Sequence, residues 1–187
     1  VVHEKRSLLD RMPGGDCQRF ASLRQLLGYQ WCLPGKQLLF MGCEIGQPSE
    51  WNENAEISWE LLENGGNHSG VQKWVKDLNR LYCDEPALWE ADYDRQGFYW
   101  VDCQDDEAKV ISFVRQNSDF SRQMLIVLNL ASGPRYNYRI GLPYEGFWHE
   151  ILNSDSAVYG GSNCGNLGGV TAEKVPWHGQ PFSTEFT

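Results

Sequence analysis

The chain has 187 residues, 41% of them hydrophobic and 22% charged, and carries a formal net charge of −9. That length allows one domain or two small ones. The acidity is spread along the chain with no basic stripe, which argues against nucleic acid or an anionic membrane surface as partner and fits a neutral ligand. No apolar run approaches the length of a bilayer span and no signal peptide opens the chain at Val1, so a cytosolic protein is expected. Eight Trp, eight Tyr and eight Phe form a heavy aromatic load. Such rings suit core packing, protein contacts and sugar faces alike. The six cysteines lie too far apart in sequence to form a CxxC pair, and reduced, packing thiols are expected in place of zinc or a disulfide framework.

The first segment is charged and irregular up to the turn signal Met12-Pro13-Gly14-Gly15. Asp16 is the expected N-cap of a helix over 17–31, where Phe20, Leu23, Leu26, Leu27 and Trp31 recur at helical spacing. Pro34-Gly35 ends it. Residues 38–42 then read as a strand apolar on both faces, as in a buried parallel sheet. Past its end gather Glu44, Gln47, Trp51 and Trp59, where barrels and open α/β sheets build binding sites. The plain alternative is a core strand followed by a structural loop, with both indoles serving as a hydrophobic lock.

A polar loop over 43–66 leads to a second helical face carried by Val71, Trp74, Val75, Leu78, Leu81 and Tyr82, closed by Pro86. Helix, buried strand, loop, helix is the rhythm of the last units of an α/β fold, and one strand needs parallel partners from elsewhere. Beyond about residue 93 the grammar changes to β-branched and aromatic runs at 97–101, 110–114, 124–130, 136–140 and 146–152, set apart by turn residues. The expectation there is an antiparallel β-sandwich, with 159–169 as a loop. The alternating pattern at 182–187 stops abruptly, and both ends of the chain read as cut.

No spacing assembles a Ser/His/Asp set, a phosphate-cradling glycine loop or a metal cluster. His3, His68, His149 and His178 lie far apart and read as surface or satisfied residues. Asn67-His68-Ser69 fits a glycosylation pattern that matters only in a secreted chain. Glycosidic chemistry needs paired carboxylates. Glu44 alone is well placed and reads as a site-shaping group, whereas Glu50, Glu53 and Glu56 read as a solvated face.

Taken in order, the phrases LLGYQW, PGKQLLFMGCEIGQ, EWN, ISWELLE, GVQKWVKDLNRLY and EPALWEAD resemble the 1,4-α-glucan branching enzymes of the α-amylase superfamily. The likeness begins at Val1-Val2-His3 and continues through Gly97-Phe98-Tyr99-Trp100 and the Gly160-Gly161-Ser162-Asn163 stretch, so it covers almost the whole chain. The resemblance implies a retaining glucanotransferase that cleaves α-1,4 links and forms α-1,6 branches in glycogen, amylose or amylopectin, through a carboxylate nucleophile and an acid/base. It implies residues 1–92 as the end of a (β/α)8 TIM barrel and 93–187 as a C-terminal β-domain without its last strand. The catalytic carboxylates of the family would lie upstream, the third directly before Val1, so no catalytic residue is expected here. Glu44, Gln47, Trp51 and Trp59 remain as substrate-binding candidates. No metal or cofactor is implied, and the partners would be α-glucan and the rest of the parent polypeptide. Glu4, Cys17 and Ser58 depart from the family pattern. Two rivals stand beside this reading: a non-catalytic glucan-binding or interaction module, and a fragment of a related hydrolase.

Overall fold

A computed structural model describes residues 5–63 and 65–187. The His3 and Glu4 assignments lie outside the described residues. The chain divides into two compact units. The first joins the chain up to Trp31 with Lys36–Cys83 and Ser154–Asn163, and the second joins Cys32–Gly35, Asp84–Asn153 and Cys164–Thr187.

The first unit is built on helices α1 (Asp16–Cys32) and α2 (Asn67–Asp84). Gly15 sits where the cap was expected from Asp16: its carbonyl accepts the first helical bond from Arg19 N at 2.9 Å. Asp16 instead occupies the first turn, where its charge complements the helix dipole. Most of the expected apolar face is buried, namely Phe20, Leu23, Leu27 and Trp31 on α1 and Val71, Trp74, Val75 and Leu78 on α2, while Leu26, Leu81 and Tyr82 are only partly so. Burying each of these large side chains contributes about 1.5–3 kcal/mol. The two helices are also tied by polar atoms. Trp74 Nε1 donates to Arg24 O at 2.8 Å, and Trp31 Nε1 to Asn79 Oδ1 at 3.2 Å.

A segment from far down the chain completes this unit. In Ser154–Asn163, Tyr159 packs edge-on against Trp74, with ring centroids 4.9 Å apart, and donates its hydroxyl to Asp77 at 2.7 Å. Arg24, 2% exposed in the middle of α1, donates Nε to Ser154 O at 2.7 Å. The segment holds its own shape through Asp155, whose carboxylate accepts from Ser162 N and Ser162 Oγ. Gly70 makes the close approach possible, because a Cβ there would lie 2.2 Å from Tyr159 O.

Residues 38–42 are not a strand. They run extended and then turn, and Leu38 is 76% exposed. A strand is defined by its ladder, and among the described residues no second segment lies alongside to supply one.

The second unit holds seven antiparallel strands. β1 (Phe98–Asp105), β2 (Val110–Gln116) and β3 (Gln123–Asn129) form one sheet in that order. β4 (Tyr138–Leu142) pairs with β7 (Phe182–Phe186), and β5 (Gly146–His149) with β6 (Gly169–Ala172). Five of the strands and the closing alternation fall where sequence patterning puts them; β6 was not anticipated. Val101 and Val114 of the first sheet meet Ile140 of the second, with Tyr99, Leu125, Tyr138 and Phe186 packed around them. A bulge between Trp100 and Asp102 shifts the register of β1 against β2.

On the other face of the first sheet, Phe98, Trp100 and Phe113 pack ring to ring, with centroids 5.1–5.4 Å apart. Beside them Arg115 is fully buried. Its guanidinium reaches Asp92 at 2.6 Å, Cys32 O and Leu88 O at 2.9 Å, and Gly97 O at 3.3 Å.

Candidate functional site in the 43–59 loop

The loop after residue 42 is shaped by two glycines in left-handed conformations. Gly42 (φ 81°) and Gly46 (φ 64°) bracket a single 3₁₀ turn, Cys43–Ile45. Such φ values favour glycine because a Cβ is unwelcome there. Space demands it too, since a Cβ at Gly46 would lie 3.0 Å from Leu23. Ile45, fully buried, anchors the turn, and His68 Nδ1 lies 2.8 Å from the Ile45 carbonyl. His68 thus has a local structural partner, as the sequence reading expects.

The four candidates differ in how they are held. Glu44, in the turn, is partly exposed and makes no hydrogen bond or ion pair among the described residues. Gln47 is committed to the loop: its backbone N donates to Gly42 O at 2.9 Å and its side-chain oxygen accepts from Ser58 N at 3.0 Å. That bond brings the two ends of the loop together and sets Trp59 one residue away from the Gln47 contact. Trp51 packs edge-on against Phe40, ring centroids 5.3 Å apart. Trp59 is 51% exposed at the start of a 3₁₀ turn, Trp59–Leu62. One carboxylate, one committed amide and two indoles can hydrogen-bond and stack on a neutral polyol. They cannot break a glycosidic bond, which takes two carboxyl groups.

Sequence reasoning missed Glu50. Its two carboxylate oxygens accept from the backbone N–H groups of Lys5 at 3.2 Å and Arg6 at 3.3 Å. Glu53 and Glu56 are exposed, as expected of a solvated face. A contact spanning about 45 residues leaves no trace in local spacing, so nothing in the pattern separated Glu50 from its neighbours. Of the unusual residues, Cys17 is exposed in the first turn of α1, and Ser58 enters the loop through its backbone N–H, which any residue but proline offers.

Burial lifts the Cys32 thiol to about 12, against which the Arg115 guanidinium acts only weakly. The Cys43 thiol is also raised, first by burial. None of the six cysteines is joined in a disulfide. Among the described residues there is no group of three or more His, Cys, Asp or Glu side chains able to hold a metal ion. Also among them, no helix is long and apolar enough to cross a membrane.

The α-amylase C-terminal all-β domain matches residues 100–187. Upstream of the matched residues, similarity to known proteins continues to the first residue. The whole chain is 50% identical over 187 residues to the 1,4-alpha-glucan branching enzyme of Aquifex aeolicus, covering 30% of that protein. It is 49% identical to the one of Shewanella baltica strain OS195, covering 25% of it. Against that of Pseudomonas putida the identity is 51% over 183 residues, 98% of this chain and 25% of the relative. The chain therefore spans between a quarter and a third of the length of the relatives it matches.

Proposed function

We propose that this chain is the C-terminal part of a 1,4-α-glucan branching enzyme, which cleaves α-1,4 links in glycogen, amylose or amylopectin and rejoins the released chain through α-1,6 links. The observation that carries the reading is co-linear identity of about half along the entire chain with several proteins of that name. In this reading residues 1–92 are the end of a (β/α)8 barrel and 93–187 its C-terminal β-domain. The unpaired run that begins at Leu38, 76% exposed, is then a strand whose parallel neighbours come from the rest of the polypeptide.

The nucleophile and acid/base, together with the third carboxylate of the family, lie upstream in this proposal. Glu44, Trp51 and Trp59 contribute at the rim of the site: Glu44 by accepting a sugar hydroxyl, and the indoles by stacking on a pyranose face. Gln47 acts indirectly, by closing the loop that carries them. The working environment is the cytosol, without metal or cofactor.

The test is to incubate the full-length parent with amylose and count α-1,6 branch points by debranching and chain-length analysis. Branch points from the parent and none from the isolated 187-residue chain are expected. New reducing ends without branches would replace the transferase with a hydrolase. Glucan binding without either reaction, lost on Trp59→Ala, would favour a binding module.

A further inference from the structure

We propose that the cleft between the β1–β2 turn and the 130–136 loop, lined by Glu107 and Arg135, binds a segment of α-glucan chain. It shares no residue with the 43–59 loop. The choice of ligand rests on the branching-enzyme reading, and the site itself on its geometry.

The cleft has a volume of about 460 Å³, opens to solvent, and is lined by Asp105, Glu107, Ala108 and Arg135, all of the second unit. Small-molecule sites occupy roughly 300–1,000 Å³. An open cleft admits the middle of a long chain, which an enclosed cavity would exclude.

Both walls are held in place before any ligand arrives. In the turn, Ala108 N donates to Asp105 Oδ1 at 2.7 Å and Lys109 N to Asp105 O at 2.9 Å. Tyr138 donates its hydroxyl to Asp105 Oδ2 at 2.8 Å. The Ala108 amide first, and then the Tyr138 hydroxyl, keep the Asp105 carboxyl below the usual carboxylate range. In the facing loop, Asn129 donates Nδ2 to Gly133 O at 2.9 Å and accepts from Ala131 N at 3.0 Å. Leu130 N donates to Lys109 O at 2.8 Å, and Arg135 Nε to Ala108 O at 2.9 Å, so loop and turn are joined twice. The bond at Nε orients the guanidinium and leaves its Nη groups without a hydrogen bond among the described residues. Glu107 is exposed, and its carboxylate likewise makes no hydrogen bond or ion pair among them.

The charges select the ligand. Two carboxylates repel an anion, and the guanidinium repels a cation. A neutral polyol meets neither penalty, because each hydroxyl both accepts and donates. It can accept from the Arg135 fork and donate to Glu107, and bonds to charged groups are the stronger kind. Tyr136, next in the chain and 67% exposed, adds a ring of the kind that suits a sugar face.

The experiment follows amide hydrogen exchange of the full-length parent by mass spectrometry, with and without maltoheptaose. It compares the unsubstituted protein with Glu107→Ala, Arg135→Lys and the control Glu145→Gln, an exposed carboxylate between β4 and β5. Slower exchange in 105–109 and 130–136 on adding maltoheptaose is expected. The concentration giving half of that slowing rises roughly tenfold in Glu107→Ala, which removes a charged acceptor, and in Arg135→Lys, which keeps the charge and loses the fork. In Glu145→Gln it stays within about twofold. Exchange without ligand is unchanged in Glu107→Ala, whose side chain holds nothing in place; faster exchange there would make Glu107 a structural group and overturn the proposal. No slowing in these segments, or slowing indifferent to both substitutions, overturns it as well. Equal slowing by inorganic phosphate would make the cleft an anion site, which also overturns it. Counting branch points made from amylose separates the two readings. A branching parent without slowing overturns this inference alone, whereas a parent that makes no branches overturns the branching-enzyme reading and the choice of glucan with it.

Discussion

Arg115 shows how much one buried side chain can organise. Three backbone carbonyls and Asp92 converge on a guanidinium with no solvent contact, so four of its five N–H donors meet an acceptor. Removing one partner of such a pair leaves the other charge buried and uncompensated, at a cost of about 3–5 kcal/mol. Arg115→Ala is expected to lose that much in denaturant unfolding, whereas Arg139→Ala, whose side chain is partly exposed, loses far less. Equal losses would remove Arg115 from this role. The cysteines allow a second prediction. Cys17, Cys83 and Cys103 are exposed, while Cys32 is buried with its thiol raised to about 12. The thiolate is the reactive form. At pH 8, iodoacetamide should label those three quickly and Cys32 only after unfolding; early labelling of Cys32, read by mass spectrometry, would contradict its burial.

Elements were legible in proportion to how local their causes are. Both helices follow from apolar periodicity and bounding prolines and glycines, and most strands from β-branched and aromatic runs between turn residues. Residues 38–42 show the opposite case. Their composition is that of a buried strand, but Leu38 stands 76% exposed because strand character depends on a neighbour. β6 was missed because Gly168 and Gly169 open it and only four residues follow the ladder with β5. Helix α2 depends on a missing side chain. Gly70→Ala would push a methyl into Tyr159 O, and a loss of about 1–3 kcal/mol from the first unit is expected, with β1–β3 unaffected. Backbone amide exchange resolves the two units; equal loss in both would refute that confinement.

At the scale of the molecule, Ser154–Asn163 belongs with the helices although about 70 residues of chain separate it from α2. A fragment ending at residue 92 lacks the Tyr159 and Ser154 contacts. Compared with the intact chain by circular dichroism, it is expected to melt less cooperatively; an equally cooperative melt would mean that the distant segment is dispensable. In limited proteolysis of the intact chain, the first cuts are expected at 52–56, which are exposed and outside any ladder. Cuts within β1–β3 at the same rate would show that the first unit is as well protected as the second.

By itself the sequence determined the local elements, the change from helical to all-β grammar, and the likeness to branching enzymes, because periodicity, turn chemistry and word order are all written in neighbouring residues. Tertiary structure alone decided that Gln47 closes its loop, that Glu50 holds Lys5 and Arg6, and that Arg115 gathers four acceptors. It also decided that Tyr159 completes the helical unit. These contacts join residues that lie apart in sequence, and their energies come from burial and hydrogen-bond geometry that exist only after the chain has closed on itself.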